Sequence, residues 1–74
     1  MIYSVTAESF DYNETIDVAH KALKMVNFAH DELKIFVEES NDFPGWNVTF
    51  SSTNVYPISV IAFAMDLSDE IESI

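Results

Sequence analysis

The sequence predicts a single α+β domain over residues 1–74, in which one long amphipathic helix packs on a small, mainly antiparallel three-stranded sheet in the order β-α-β-β. Three observations predict this fold. A β-branched and aromatic segment opens the chain, a long stretch free of Gly and Pro has helical periodicity, and turn residues then separate further apolar segments. An apolar content of 49% is enough for a folded core in one small domain.

The first two elements are a strand and a helix. Residues 2–6 are rich in β-branched and aromatic side chains, which favour an extended strand. From residue 13 to residue 40 no Gly or Pro interrupts the chain, and the apolar side chains gather on one half of a helical wheel. The pattern predicts one continuous amphipathic helix that begins with Asp11 or Asn13 as its N-cap.

Phe28 and Ile35 depart from this pattern. They lie seven positions apart in the polar half of the predicted helix, so they would be nearly aligned along its axis. Two interpretations stay open. Either the helix bends or other parts of the chain cover the pair, or the two side chains form an apolar contact with a second copy or another protein.

A turn and a second strand follow the helix. Residues 41–45 include Asn, Asp, Pro and Gly, which together form the strongest turn signal in the chain. Residues 46–51 then alternate large apolar with small polar side chains, as in a half-buried strand.

The last apolar segment, residues 58–65, fits two structures. As a strand it would form a hairpin with residues 46–51, and as a helix it would carry Pro57 in its first turn. We favour the strand, because Val60, Ile61 and Phe63 are better strand formers than helix formers and because a stable sheet needs a third strand. A short acidic helical tail is expected from Asp66 onwards.

Composition restricts the partners of this protein. Thirteen acidic residues face three lysines and no arginine, for a formal net charge of -10. Nucleic acids and anionic membranes attract basic surfaces, so we expect neither as a direct partner, and a basic protein is favoured instead. The chain has no secretory signal pattern and no apolar run that could span a bilayer, so a cytoplasmic location is expected.

The sequence does not predict an enzyme, a cofactor or a metal site. There is no cysteine, and the two histidines, His20 and His30, lie ten residues apart on the predicted helix, where they do not converge. His20 with Asp17 lacks a third convergent metal ligand. The single glycine, Gly45, rules out a glycine-rich phosphate loop.

The acidic residues are the strongest functional signal. Acids that approach the start of the predicted helix are favoured by the helix dipole, but those at its end are not, so the latter are expected to serve something outside the fold. A solvated surface that maintains solubility is the competing interpretation. The predicted partner-binding residues are Glu8, Asp11, Glu14, Asp17, Glu38, Glu39, Asp42, Asp66, Asp69 and Glu70.

In size, net charge and absence of arginine, the chain resembles small acidic proteins that mimic nucleic acid, including phage-encoded anti-restriction and anti-CRISPR inhibitors of host defence. The resemblance implies an inhibitor that docks on the basic surface of a nucleic-acid-binding protein or nuclease complex. The alternative is an obligate homodimer or adaptor, including an antitoxin or immunity protein, that acts through an apolar helix seam centred on Phe28 and Ile35.

Overall fold

The described part of the chain forms two helices and four strands in the order β-α-β-β-α-β. The computed structural model describes residues 1–28 and 33–74. The elements are β1 (Tyr3–Ser9), α1 (Tyr12–Met25), β2 (Lys34–Glu39), β3 (Trp46–Ser52), α2 (Val55–Ala64), a 3-10 turn (Ser68–Glu70) and β4 (Glu72–Ser73). The predicted α+β class is confirmed.

All four strands belong to one antiparallel sheet, in the order β2-β3-β1-β4. The strand β3 lies between β1 and β2, so these two strands run in the same direction. With a helix after β1 and another after β3, this is the split β-α-β topology. The prediction of three strands is wrong, because the sheet has four.

The helices cover one face of the sheet and leave the other open. Val5, Val48 and Phe50 lie fully buried on the covered face, where Leu23 of α1 and Ile58 of α2 pack against them. Side chains that alternate with these point to the open face. There the hydroxyls of Thr6 and Thr49 share a hydrogen bond at 2.9 Å.

The prediction of one helix from residue 13 to residue 40 is wrong. The helix α1 ends at Met25, and Asn27 adopts a left-handed conformation with a φ of 55°. Beyond it, the Phe28 N–H donates to the Leu23 carbonyl at 3.0 Å and the Asn27 N–H donates to the Lys24 carbonyl at 3.1 Å. These two bonds form a Schellman motif, which satisfies the last carbonyls of the helix and turns the chain away.

Residues 34–39, in the second half of the predicted helix, form the strand β2. Its apolar residues pair with β3, with Ile35 opposite Phe50 and Val37 opposite Val48. Pairing with a buried strand outweighs the weak helical periodicity of a segment whose β-branched and aromatic residues favour strands. Residues 29–32, which the prediction also placed in the helix and which include His30, lie outside the described residues.

The predicted strand over residues 58–65 is also wrong, because residues 58–64 belong to α2 and Met65 is its C-cap. Asn54 caps α2 by accepting a hydrogen bond from the Tyr56 N–H at 3.0 Å, and Pro57 lies in the first turn. Although α2 carries no charged residue, no helix among the described residues has the length and apolar content that crossing a bilayer requires. The acidic tail forms one 3-10 turn and a two-residue strand instead of the expected helical tail.

The left-handed residue Asn27 gives a test of the helix end. Asn27→Ala is expected to lower the free energy of unfolding by about 1 kcal/mol, because a Cβ without a compensating polar group is disfavoured in this conformation. Asn27→Gly is expected to keep or raise it, since glycine adopts a positive φ without strain. Urea unfolding of both variants measures the difference. An equal loss in the two variants would contradict a backbone origin and implicate the asparagine side chain.

Candidate protein-interaction site

Among residues 1–28 and 33–74, charge is distributed unevenly between the two ends of the sheet; Asp31 and Glu32 lie outside the described residues. The strands β1 and β2 run in the same direction, so both finish at the end where β3 begins. The helix α1 also starts there, directly after β1. Residues far apart in the sequence are therefore brought together at this end.

Six of the predicted partner-binding residues lie at this end of the sheet, and all six are exposed. Glu8 and Glu38 both pair with Asn47, from its two neighbouring strands, and their side chains lie on the open face. Two strand spacings separate them, which is about 10 Å between their Cα atoms. We call this group the acidic end: Glu8, Asp11, Glu14, Glu38, Glu39 and Asp42.

All three lysines lie towards the opposite end, which we call the lysine end. Lys24 is in the last turn of α1, Lys21 is in the turn before it, and Lys34 begins β2. Glu14 and Lys24 are ten residues apart on one helix, which is about 15 Å along the axis. That separation exceeds the Debye length of about 8 Å at physiological salt, so the lysines do little to neutralise the acidic end.

The other predicted acids are exposed but less closely grouped. Asp17 lies almost one helical turn beyond Glu14, and Asp66 follows the end of α2, which runs back towards the acidic end. Asp69 and Glu70 lie in the 3-10 turn beside β1. Glu72 pairs with Ser4 near the lysine end.

An aromatic pair lies within the acidic end. The rings of Phe10 and Phe43 meet edge to face with centroids 5.3 Å apart. Phe10 leaves 75% of its surface exposed, although it follows β1 directly. Beside them, Tyr12 packs edge to face on Trp46 at 5.1 Å and ties the start of α1 to the start of β3. Aromatic side chains surrounded by charge are typical of protein interfaces.

The sequence around Asp11 explains why the acidic end is well defined. The predicted cap is confirmed, because Asp11 Oδ1 accepts a hydrogen bond from the Asn13 N–H at 3.0 Å. The Ser9 hydroxyl donates to the Asp11 carbonyl at 2.7 Å and accepts from the Asp11 N–H at 3.1 Å. These bonds hold the short link between β1 and α1, and with it the backbone of Phe10.

A groove of about 420 Å³ runs beside β1 where β4 stops. Glu8 and Glu70 lie on its polar walls with two threonine hydroxyls, and Val18 and Leu67 give it an apolar part. His20 does not line this groove. Among residues 1–28 and 33–74, no group of three or more acidic or histidine side chains is arranged to hold a metal ion.

The predicted apolar helix seam is wrong in its geometry. Phe28 follows α1, where its ring contacts that of Tyr56 at 5.7 Å, and Ile35 lies in β2 opposite the buried Phe50. Both side chains are partly buried and pack against the core. The two residues therefore do not form an exposed stripe on one helix, because the helix ends before either of them.

Gly45 controls the position of the aromatic pair. A Cβ at this residue would lie 2.7 Å from the carbonyl oxygen of Ser9 and would overlap the ring of Phe43. Gly45→Ala is therefore expected to displace Phe43 from Phe10 and to lower the free energy of unfolding by about 1–3 kcal/mol. Urea unfolding measures the loss, and NMR contacts between the two rings report the displacement.

Asn41→Ala, at an exposed position in the same loop, is the control for Gly45→Ala and is expected to change stability by less than about 0.5 kcal/mol. Unchanged ring contacts in Gly45→Ala would show that the loop adapts without moving Phe43.

The sequence did not identify Phe10 as an interaction residue. Its signal was a lone aromatic side chain between a strand and an N-cap, a place where polar residues are usual. The structure shows both that this ring is exposed and that it pairs with Phe43, which the β2–β3 turn supplies.

No protein-family model matches this chain, and neither does any curated protein or solved structure.

Proposed function

We propose that this protein is a small acidic inhibitor that docks through its acidic end on a basic surface of another protein. The observation that carries the proposal is the separation of charge, with six exposed carboxylates at one end of the sheet and the three lysines towards the other. An even distribution would support a role in solubility alone. An organised negative end can also guide a positively charged protein into one orientation as it approaches.

The spacing of the carboxylates supports mimicry of nucleic acid. Glu8 and Glu38 project from the open sheet face on either side of Asn47, while Asp11 and Glu14 continue the negative charge onto α1. Lysines and arginines that normally hold phosphates would meet fixed carboxylates on two adjoining surfaces. The partner we propose is therefore a nucleic-acid-binding protein or a nuclease complex, as for anti-restriction and anti-CRISPR inhibitors.

Phe10 adds an apolar contact to this charged surface. Its ring is mostly exposed, and acids flank it in the chain and across the β2–β3 turn. An arginine guanidinium can stack on an aromatic ring while it pairs with a neighbouring carboxylate. Phe10 would then favour arginine over lysine in the partner, which charge alone does not do.

Binding, and not catalysis, is the role we propose for the groove beside β1. Its lining offers two carboxylates and two threonines. Both glutamates are exposed, whereas catalytic carboxylates need a pocket that excludes water. The groove adjoins the acidic end through Glu8 and widens the negative surface towards Glu70. A basic side chain of the partner fits this chemistry.

A second candidate is an adaptor, antitoxin or immunity protein that acts through an apolar surface. The outer face of α2 favours it, because Phe63 is 82% exposed and lies one to two turns from Val60 and Tyr56. Val26 extends this surface onto the end of α1. Binding through this face would be insensitive to salt, which separates it from docking through the acidic end.

The proposed docking is tested by removing charge from one end. The variant Glu8→Gln/Glu14→Gln/Asp42→Asn removes three negative charges, so the net charge changes from -10 to -7 with little change in side-chain shape. Partners are captured from a lysate at low salt, eluted with a salt gradient and purified, and their affinity is measured by titration. The triple variant is expected to lose about 1 kcal/mol per carboxylate, and wild-type affinity is expected to fall about tenfold or more between low and high salt.

The matched control is Asp17→Asn/Asp69→Asn/Glu72→Gln, which removes three charges from outside the acidic end and from outside the lining of the adjoining groove. It is expected to weaken binding less than the first variant does. The captured partner should also release a labelled DNA or RNA duplex when the wild-type protein is added. Equal losses in the two variants, affinity unchanged by salt, or a partner that does not bind nucleic acid would each contradict the proposal.

A further inference from the structure

The outer edge of the sheet at β2 has no neighbouring strand in the described part of the chain. The strand β2 pairs with β3 on one side, and its six residues form the last strand of the sheet. Such an edge offers a row of backbone N–H and C=O groups to another strand. Natural edges are usually protected by charged side chains, bulges, prolines or covering segments. The strand β2 has three charged side chains, but its ladder with β3 runs without a bulge.

The hydrogen bonds at the opposite edge determine which backbone groups point outwards. Ile2 and Ile74 exchange both backbone hydrogen bonds, each at 2.9 Å. Every second residue of β1 from Ile2 onwards therefore directs its N–H and C=O towards β4. The intervening residues, such as Val5, direct theirs towards Phe50 in β3.

The same alternation continues across β3 to the free edge. Thr49 lies between residues that bond to β1, so its N–H and C=O point to β2, where Phe36 is its partner. Ile35 and Val37, on either side of Phe36, consequently direct their backbone groups away from the sheet. These groups are free to pair with a further strand.

The side chains of β2 on the open face are complementary to themselves. Lys34, Phe36 and Glu38 alternate along this face, with a cation two residues before the ring and an anion two residues after it. Phe36 is 60% exposed, on a face whose nearest side chains across the sheet are threonines. In an antiparallel copy of the same strand the order of these charges is reversed, so the anion of one copy would lie opposite the cation of the other.

We propose that a second copy of this chain pairs antiparallel with β2, with the two-fold axis at Phe36. Phe36 then faces Phe36 of the second copy as a non-hydrogen-bonded pair, in which side chains approach most closely. Lys34 faces Glu38 of the second copy on both sides of the aromatic pair. Ile35 and Val37 exchange backbone hydrogen bonds across the interface, and the two sheets join into one.

Other registers lose this complementarity. A shift by one residue would turn the open-face side chains of one copy against the core-face side chains of the other. A register centred on Val37 would place Phe36 opposite Glu38, and one centred on Ile35 would place Lys34 opposite Phe36. Only the axis at Phe36 sets cation against anion and ring against ring.

The charges of the described residues favour the same arrangement. Antiparallel pairing at β2 brings the lysine end of one copy beside the acidic end of the other, so opposite charges are adjacent. Both Phe10 side chains remain exposed, at opposite ends of the joined sheet. This dimer does not depend on the proposed inhibitory function.

The oligomeric state of the full chain tests the pairing. Sedimentation over roughly a hundredfold range of concentration is expected to show a species of twice the 8.4 kDa chain. Lys34→Glu and Glu38→Lys, made separately, are each expected to weaken dimerisation about tenfold or more, because two pairs become like-charged. The double variant Lys34→Glu/Glu38→Lys restores both pairs and is expected to return the dissociation constant to within about threefold of wild type.

Phe36→Ser and Phe63→Ser form a matched pair of controls, since both remove an exposed phenylalanine. Phe36→Ser is expected to weaken dimerisation about tenfold or more while the monomer stays folded by circular dichroism, and Phe63→Ser is expected to leave it unchanged. A wild-type chain that is monomeric throughout, or a double charge variant that does not recover, would overturn the proposal. Loss of dimers in Phe63→Ser but not in Phe36→Ser would place the contact on α2 instead.

The outcome is distinguishable from that of the inhibitor test. Glu8→Gln/Glu14→Gln/Asp42→Asn changes no residue of β2 and removes only longer-range, screened charge, so its dissociation constant for the dimer is expected to stay within about threefold of wild type. A partner lost in that variant with the dimer intact assigns docking to the acidic end and self-association to the edge. Likewise, loss of the dimer in Phe36→Ser with partner affinity intact assigns self-association to β2 and docking to the acidic end.

Discussion

The pairing of β3 with both β1 and β2 is the constraint on which the rest of this structure depends. The ladder extends along the whole of β3 on the β1 side and along most of it on the β2 side. It buries Val48 and Phe50 between the two neighbours and gives the helices a surface to cover. It also fixes the direction of β1 and β2, and so it decides which charged residues share an end of the molecule.

Sequence patterns identified the elements whose local signals agree. The strand predicted over residues 2–6 overlaps β1 from Tyr3 onwards, and the strand predicted over residues 46–51 lies in β3. Asp11 was one of two predicted caps for α1. The failures were β2 and α2, for opposite reasons. The β2 segment continues a helical apolar pattern from which only Phe28 and Ile35 depart. The α2 segment is apolar on nearly every side, so it has no clear period. Tertiary contacts determined the structure of both segments.

These two errors determine how much of the site the sequence could reveal. Exposure of the acids followed from their chemistry, and all ten predicted residues are exposed. Their grouping at one end could not be predicted from the sequence, because a single long helix would have placed Glu38 and Glu39 far from Glu8. The return of the chain through β2 brings them to the same end. Phe10 was missed for a related reason, since its neighbour Phe43 comes from the turn after that strand.

The central position of β3 also has a kinetic consequence. Its partner β1 lies at the start of the chain, and α1 and β2 lie between the two strands in sequence. Pairing of β1 with β3 must therefore close a long loop. The turn between β2 and β3 can form early, but it buries little until β1 arrives. Folding is therefore expected to be cooperative and slower than that of a helical bundle of this length, with its rate limited by an encounter between distant segments.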